Sequence, residues 1–192
     1  MPDFISGQMV EQLEKDIASA KNCLKMDKEV LSIEEIVVLY KEGKITVAPD
    51  FQILFRWSNF QQTRFIESIL LGFPIPPIFV AENEKKKWVL VDGLQRLSTV
   101  VSFFGVLQGK EMEAKNNWTM CKGELVKSLD GFTFHSLPAK LQQRIKHALC
   151  RIEIIKWNNN PDMQYILLNR LNSGGAMVTD QEIKNCIFRT LL

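Results

Sequence analysis

The chain has 192 residues, 46% hydrophobic and 24% charged, which suits one globular domain, or one domain with a helical extension, and excludes general disorder. A net charge of +2 and a pI of about 8.3 are too mild to attract nucleic acid by bulk charge, so such a contact needs a local patch. Cys23, Cys121, Cys150 and Cys186 lie far apart with no CxxC pair, and only His135 and His147 can join them, which argues against a structural zinc site.

The start, Met1-Pro2-Asp3-Phe4, has no basic region leading into an apolar run, and no stretch approaches the roughly 18 apolar residues that span a bilayer. A cytoplasmic protein with reduced cysteines is expected, each cysteine read as a small buried hydrophobe. From Met9 to about Met26, Val10, Leu13, Ile17 and Ala20 recur at helical spacing, predicting a peripheral amphipathic helix. Ser32, with Glu35 at the capping-box position, starts a second helix that runs to Lys41 before Gly43. Residues 45–47 are a short strand candidate.

Ser58 and Gln61 predict another capped helix, with Phe65, Ile66, Ile69 and Leu70 on its apolar face and Gly72 at its end. Phe73-Pro74-Ile75-Pro76-Pro77 is a rigid connector, because proline removes donors and biases the preceding residue toward extended geometry. It delivers the chain into a strand over 78–81, a polar hairpin loop over 82–87, and a strand over 88–91. After Asp92-Gly93 the period becomes helical, with Leu97, Val100, Val101, Phe104 and Leu107 on one face.

Residues 109–131 show mixed patterning, irregular with room for a short hairpin. Ser136 before Leu137-Pro138 marks a helix carrying Leu141, Ile145 and Leu149, and 150–156 reads as a strand. Asn160-Pro161-Asp162 caps a helix with Tyr165, Leu168 and Leu171 that ends near Gly174-Gly175. Thr179 and Glu182 cap a last helix, whose apolar, uncapped end at 187–192 is expected to continue into a longer protein.

The turn at Asp92-Gly93 concentrates the chemistry. A buried strand passes directly into a helix whose first amides lack intrahelical partners, and such donors, with the helix dipole, hold anions. Arg96, Ser98 and Thr99 lie close enough to add charge and donors, and Asp92 is a candidate cap or metal ligand. An ordinary Asp-Gly helix start with a solvated Arg96 and a backbone-bonded Gln95 fits the same residues.

Arg56-Trp57, after Asp50-Phe51-Gln52, offers a guanidinium and an indole from a second loop, as a phosphate clamp and base platform or as an arginine stacked on tryptophan at a helix entrance. Leu171-Asn172-Ser173-Gly174-Gly175 permits close backbone approach to a ligand, or a plain C-cap. Lys85-Lys86-Lys87 reads as a solvated hairpin tip before it reads as a nucleic-acid contact. GxxxxGK[ST], HExxH and GxSxG are all absent, leaving P-loop ATPase and histidine-metal nuclease chemistry unsupported.

Pro49-Asp50-Phe51-Gln52, Phe55-Arg56-Trp57-Ser58, the run over 65–72, Pro74-Ile75-Pro76-Pro77-Ile78-Phe79 and the run from Val91 through Asp92-Gly93-Leu94-Gln95-Arg96 to Thr99 together resemble the domain of unknown function 262 family. Residues 170–175 and 181–185 are similar to its later motif, so the resemblance spans about 31–188. It implies an α+β fold of the ParB/sulfiredoxin kind, a small mixed sheet surrounded by helices over 31–192, with 1–30 as an N-terminal helical extension.

The family includes the N-terminal domains of GmrSD-type modification-dependent restriction enzymes and related phage-defence proteins. The resemblance therefore implies DNA as a partner in the full-length context, a nucleoside triphosphate with Mg2+ as candidate companion, and a homodimer or C-terminal effector as candidate partners. Nuclease cutting in the family usually comes from an appended C-terminal domain.

Its DGQQR signature maps onto Asp92, Gly93, Leu94, Gln95 and Arg96. The catalytic candidates are thus Asp92, Gln95 and Arg96, with Asp92 the candidate metal ligand. The phosphate-binding candidates are Gln52, Arg56, Gly93, Leu94, Gln95, Arg96, Ser98, Thr99 and Asn172. Two positions depart from the pattern: Leu94 replaces the first signature glutamine, and Ile53 stands where arginine is common. NTP hydrolysis is accordingly a weaker expectation than binding, and a non-catalytic DNA-binding module or a degenerate scaffold are the rival readings.

Overall fold

The computed structural model describes residues 6–22, 24–47, 55–83, 85–109, 112–157 and Arg170. In chain order these give helix α1 (Gly7–Asn22), strand β1 (Leu24–Ser32), α2 (Ile33–Lys41), β2 (Ile45–Thr46), α3 (Asn59–Leu71), β3 (Ile78–Glu82), β4 (Trp88–Asp92), α4 (Leu94–Phe103), α5 (Ala139–Lys146) and β5 (Leu149–Trp157). The five strands form one mixed sheet in the order β1-β5-β3-β4-β2. β1 and β5 are antiparallel, as are β3 and β4, while β5 with β3 and β4 with β2 run parallel. The α+β architecture expected from the sequence is the one observed.

The local signals that survived are those with a complete hydrogen-bonding reason. Ser32 accepts from Glu35 N at 3.2 Å while the Glu35 carboxylate takes Ser32 N–H at 2.7 Å, closing a capping box at α2. The Ser32 hydroxyl, donating to Glu35 Oε2 at 2.6 Å, and then the Ser32 N–H hold the Glu35 carboxyl below its ordinary pKa. Ser58 and Gln61 close a second box at α3. Gly72 ends α3 in the left-handed region at φ 79°, which a side-chain-bearing residue enters only at a cost.

One continuous core joins the sheet to the helices, through Ile36 of α2, Ile66 and Ile69 of α3, Leu97 and Val101 of α4, Ile145 of α5, and Leu90, Ile152 and Ile154 from the strands. Residues 152–155 of β5 are all buried, Glu153 included, as befits an interior strand covered on both faces. The Glu153 carboxylate is met at 2.9 Å by Arg151 Nε.

Several expectations are corrected. The N-terminal helix stops at Asn22 rather than near Met26, because Leu24–Ser32 is drawn into a nine-residue pairing with β5; cross-strand pairing outweighs local helical spacing there. Ser136 does not cap α5: its hydroxyl donates to the Thr133 carbonyl at 3.2 Å and accepts from Thr133 N at 2.8 Å, and the helix begins beyond Pro138. Leu149 belongs to the start of β5, not to that helix, and is exposed. Among the described residues 112–131 carry two short 3-10 turns, Glu113–Lys115 and Lys127–Leu129, and no hairpin. The helices expected over 160–175 and from 179 lie outside the described residues, Arg170 apart.

Candidate functional site

Strand β4 feeds the site through an irregularity. Phe79 pairs with Asp92 while Val80 pairs with Leu90, so Val91 is an extra residue, a β-bulge immediately before the turn. The bulge lets Leu90 and Val91 both be buried and leaves Asp92 half-exposed at the sheet's end. Gly93 then adopts φ 102° and ψ 17° as the residue before α4. A Cβ there would stand 3.2 Å from Ile78 Cγ1 and 3.2 Å from Arg96 Nη2, so both backbone conformation and space call for glycine.

Gly93, standing before α4, has no side chain to cap it. Arg96 folds back across the turn instead, donating through Nη2 to the Pro77 carbonyl at 3.0 Å and to Asp92 Oδ2 at 3.1 Å. Its side chain is 19% exposed and that of Asp92 35%. Gln95 has a different task. Its Oε1 accepts from the backbone N–H of Arg56 at 3.1 Å and of Trp57 at 3.1 Å, fastening a distant loop beside the helix start.

Three further contacts hold that loop. Gln62 Nε2 donates to the Trp57 carbonyl at 3.1 Å, Trp57 meets Phe65 edge-on at 5.6 Å, and Lys115 donates to the Phe55 carbonyl at 3.0 Å while standing over the Phe55 ring. The Arg56 side chain is left exposed.

Asp92, Gly93, Gln95, Arg96 and Arg56 are thus brought together, as the sequence suggested. Gly93 itself is buried, and Leu94 packs into the core, so the leucine that replaces the signature's glutamine serves as a hydrophobic anchor. Ser98 and Thr99 are also buried, one turn into the helix. Thr99 Oγ1 and Arg96 Nε have no hydrogen-bond partner among the described residues. Gln52, Ile53 and Asn172 lie outside the described residues.

Behind the turn is an apolar cavity of about 10 Å3 bordered by Ile75, Ile78, Arg96, Leu97 and Cys150, among others. That is roughly the room one water takes. Sequence reading missed Cys150 as a neighbour of Arg96. Burial pushes its thiol up to about 11, the nearby Arg96 charge only partly opposing this, so it stays protonated near neutral pH. The Pro77 carbonyl was also missed, although the proline run signalled a backbone acceptor that no strand would claim.

The donor set does not fit a metal held by protein alone. Asp92 supplies one carboxylate already engaged by a guanidinium, and no group of three or more His, Cys, Asp or Glu among the described residues could hold a cation. Mg2+ demands more oxygen ligands than this, usually adding substrate phosphates and water.

Residues 33–189 match the family described as "GmrSD restriction endonuclease, N-terminal domain". The chain belongs to that family. No curated protein matches it. Among solved structures it is similar to the one titled "Structure of the C2221 form of Pnob8-like ParB-N domain", at 14% identity, covering 88% of this chain and 45% of that one. The TM-score of that likeness is 0.37. Among the described residues no helix is long and apolar enough to cross a membrane.

Proposed function

We propose that the start of α4 is a phosphate-binding edge that takes a nucleoside triphosphate, and that the domain uses it to assist DNA recognition within a restriction protein. The carrying observation is the contrast between helix starts. α2 and α3 each satisfy their first amides with a full capping box, whereas the residues before α4 and α5 bring no side-chain cap, and it is α4 that has the exposed Arg56 tethered beside it by Gln95. Uncapped amides and the helix dipole attract an oxyanion, and guanidinium forks bind phosphate well.

Gly93 and Leu94 are buried, while Gln95 and Arg96 are half-buried at the helix start. Arg96 would neutralise phosphate charge after yielding Asp92, which is then available to orient a water. Gln95 acts as a positioning residue for Arg56. Membership of the family supports the DNA setting. Calorimetry with ATP, GTP and CTP in turn, on wild type, Arg96→Ala and Arg56→Ala, tests the reading, with phosphate release measured alongside. Binding weakened in both variants is the expected result. No binding of any nucleotide by the wild type removes the reading.

A second reading is a clamp for a backbone phosphate of DNA without turnover. It is favoured by the exposure of Arg56, which can meet a backbone phosphate without any pocket for a base. DNA binding that falls steeply with salt, in a protein that ignores free nucleotides, selects it.

A further inference from the structure

Every residue from Ser6 to Lys21 is exposed, so α1 buries no side chain in its own domain among the described residues. Yet it turns an apolar stripe to solvent, with Met9 62%, Val10 43%, Leu13 58% and Ile17 46% exposed. A lone 16-residue helix of ordinary composition is marginal in water, since nucleation is costly and most helical stability comes from packing an apolar face.

The spacing of the stripe describes the missing neighbour. Val10, Leu13, Ile17 and Ala20 fall at the a, d, a and d positions of a seven-residue repeat, the period that keeps one seam facing a partner helix. Both a positions are β-branched and the first d is leucine, the combination that favours two parallel strands. We propose that α1 pairs with α1 of a second copy of this chain as a short parallel coiled coil.

Charge selects both occupant and direction. In the parallel pair the g position, Asp16, faces the following e position, Lys21, of the second copy, and the two-fold axis makes that contact twice. An antiparallel pair that layers Leu13 on Ile17 and Val10 on Ala20 would instead bring Asp16 near Asp16 and Glu14 near Glu14, which like-charge repulsion opposes. The ion pair within the helix, Lys15 to Glu11 at 2.8 Å, sits on the outer b and f positions and leaves the seam clear.

Sedimentation equilibrium on the 192-residue chain should show reversible dimerisation. Ile17→Lys should weaken it by on the order of a hundredfold, because each dimer loses two buried isoleucines, without lowering the thermal midpoint of the dilute monomer. Asp16→Lys should weaken the dimer, and adding Lys21→Asp should restore it. Ala20→Cys in a Cys23→Ser background should oxidise to an intermolecular disulfide, since d faces d at one level only in the parallel pair.

A monomer at every concentration, a dimer indifferent to Ile17→Lys, or no Ala20→Cys cross-link overturns the proposal. So does an Ile17→Lys monomer that is itself less stable than wild type, because the chain's own residues would then cover the stripe.

Discussion

Two places in this fold aim several backbone amides at one spot, and they end differently. In the loop after Cys121, the N–H groups of Glu124, Leu125 and Val126 converge on the Glu67 carboxylate at 3.1, 2.9 and 2.6 Å, and Glu67 is only 2% exposed. At α4 the residue before the helix is Gly93, which has no side chain to offer those amides, and the carboxylate of its neighbour Asp92 faces Arg96. The chain thus supplies its own anion at the first place, whereas at the turn carrying the family's signature the residue before the helix brings none. Backbone donors alone do not mark a ligand site; what matters is whether the protein has already satisfied them.

The largest effect should come from the satisfied site. Glu67→Ala empties a buried position and leaves three backbone donors without their acceptor, and should cost about 2 kcal/mol in urea denaturation. Glu67→Gln should recover part of this, because its oxygen still accepts but without charge. A loss under about 1 kcal/mol for the alanine variant would dissolve the contrast between the two places.

Gly93→Ala comes next. A residue with a Cβ at φ 102° must sit in an unfavourable region and also press on Ile78 and Arg96, at 3.2 Å each. About 2 kcal/mol of destabilisation is expected, together with displacement of Arg96. An unchanged urea midpoint would mean that the turn is soft, which would count against a preformed anion edge.

Much of this arrangement was legible in the sequence, for a physical reason that also explains the failures. The boxes at Ser32 and Ser58, the αL end at Gly72 and the succession of strand, turn and helix at Asp92-Gly93 are local, set by residues within a few positions of one another. Glu67 was opaque because its partners lie 57 to 59 residues away, in a segment whose pattern is neither helical nor stranded. β1 was not foreseen, and its first residues were taken into the helix expected to run to about Met26, because its pairing with β5 is remote. That Gln95 bonds to backbone was one of the open readings, but which amides it serves was hidden for the same reason, since they lie 38 and 39 residues back. The bulge at Val91 leaves no sequence signature beyond two successive buried aliphatic residues.

Asp92→Asn separates the two possible duties of Arg96. If the guanidinium is held in reserve for phosphate, removing the competing charge should tighten nucleotide binding a few-fold, on the order of 1 kcal/mol. The stability cost should be small, since Asp92 is about one-third exposed and its pair with Arg96 is partly screened. Weaker binding instead would show that Asp92 itself serves the ligand, through water or a metal.

The smallest effects distinguish holding a group from using it. Arg56 is exposed, so Arg56→Ala should leave stability within about 0.5 kcal/mol while weakening phosphate binding. Gln95→Ala deprives the Arg56 and Trp57 amides of their acceptor and should cost about 1 kcal/mol. It should also weaken binding, because Arg56 is then delivered by a looser loop. If Gln95 acts on the ligand only through Arg56, the double variant should bind no worse than Arg56→Ala alone, a non-additivity that a double-mutant cycle measures directly. Fully additive losses would instead place Gln95 in contact with the ligand.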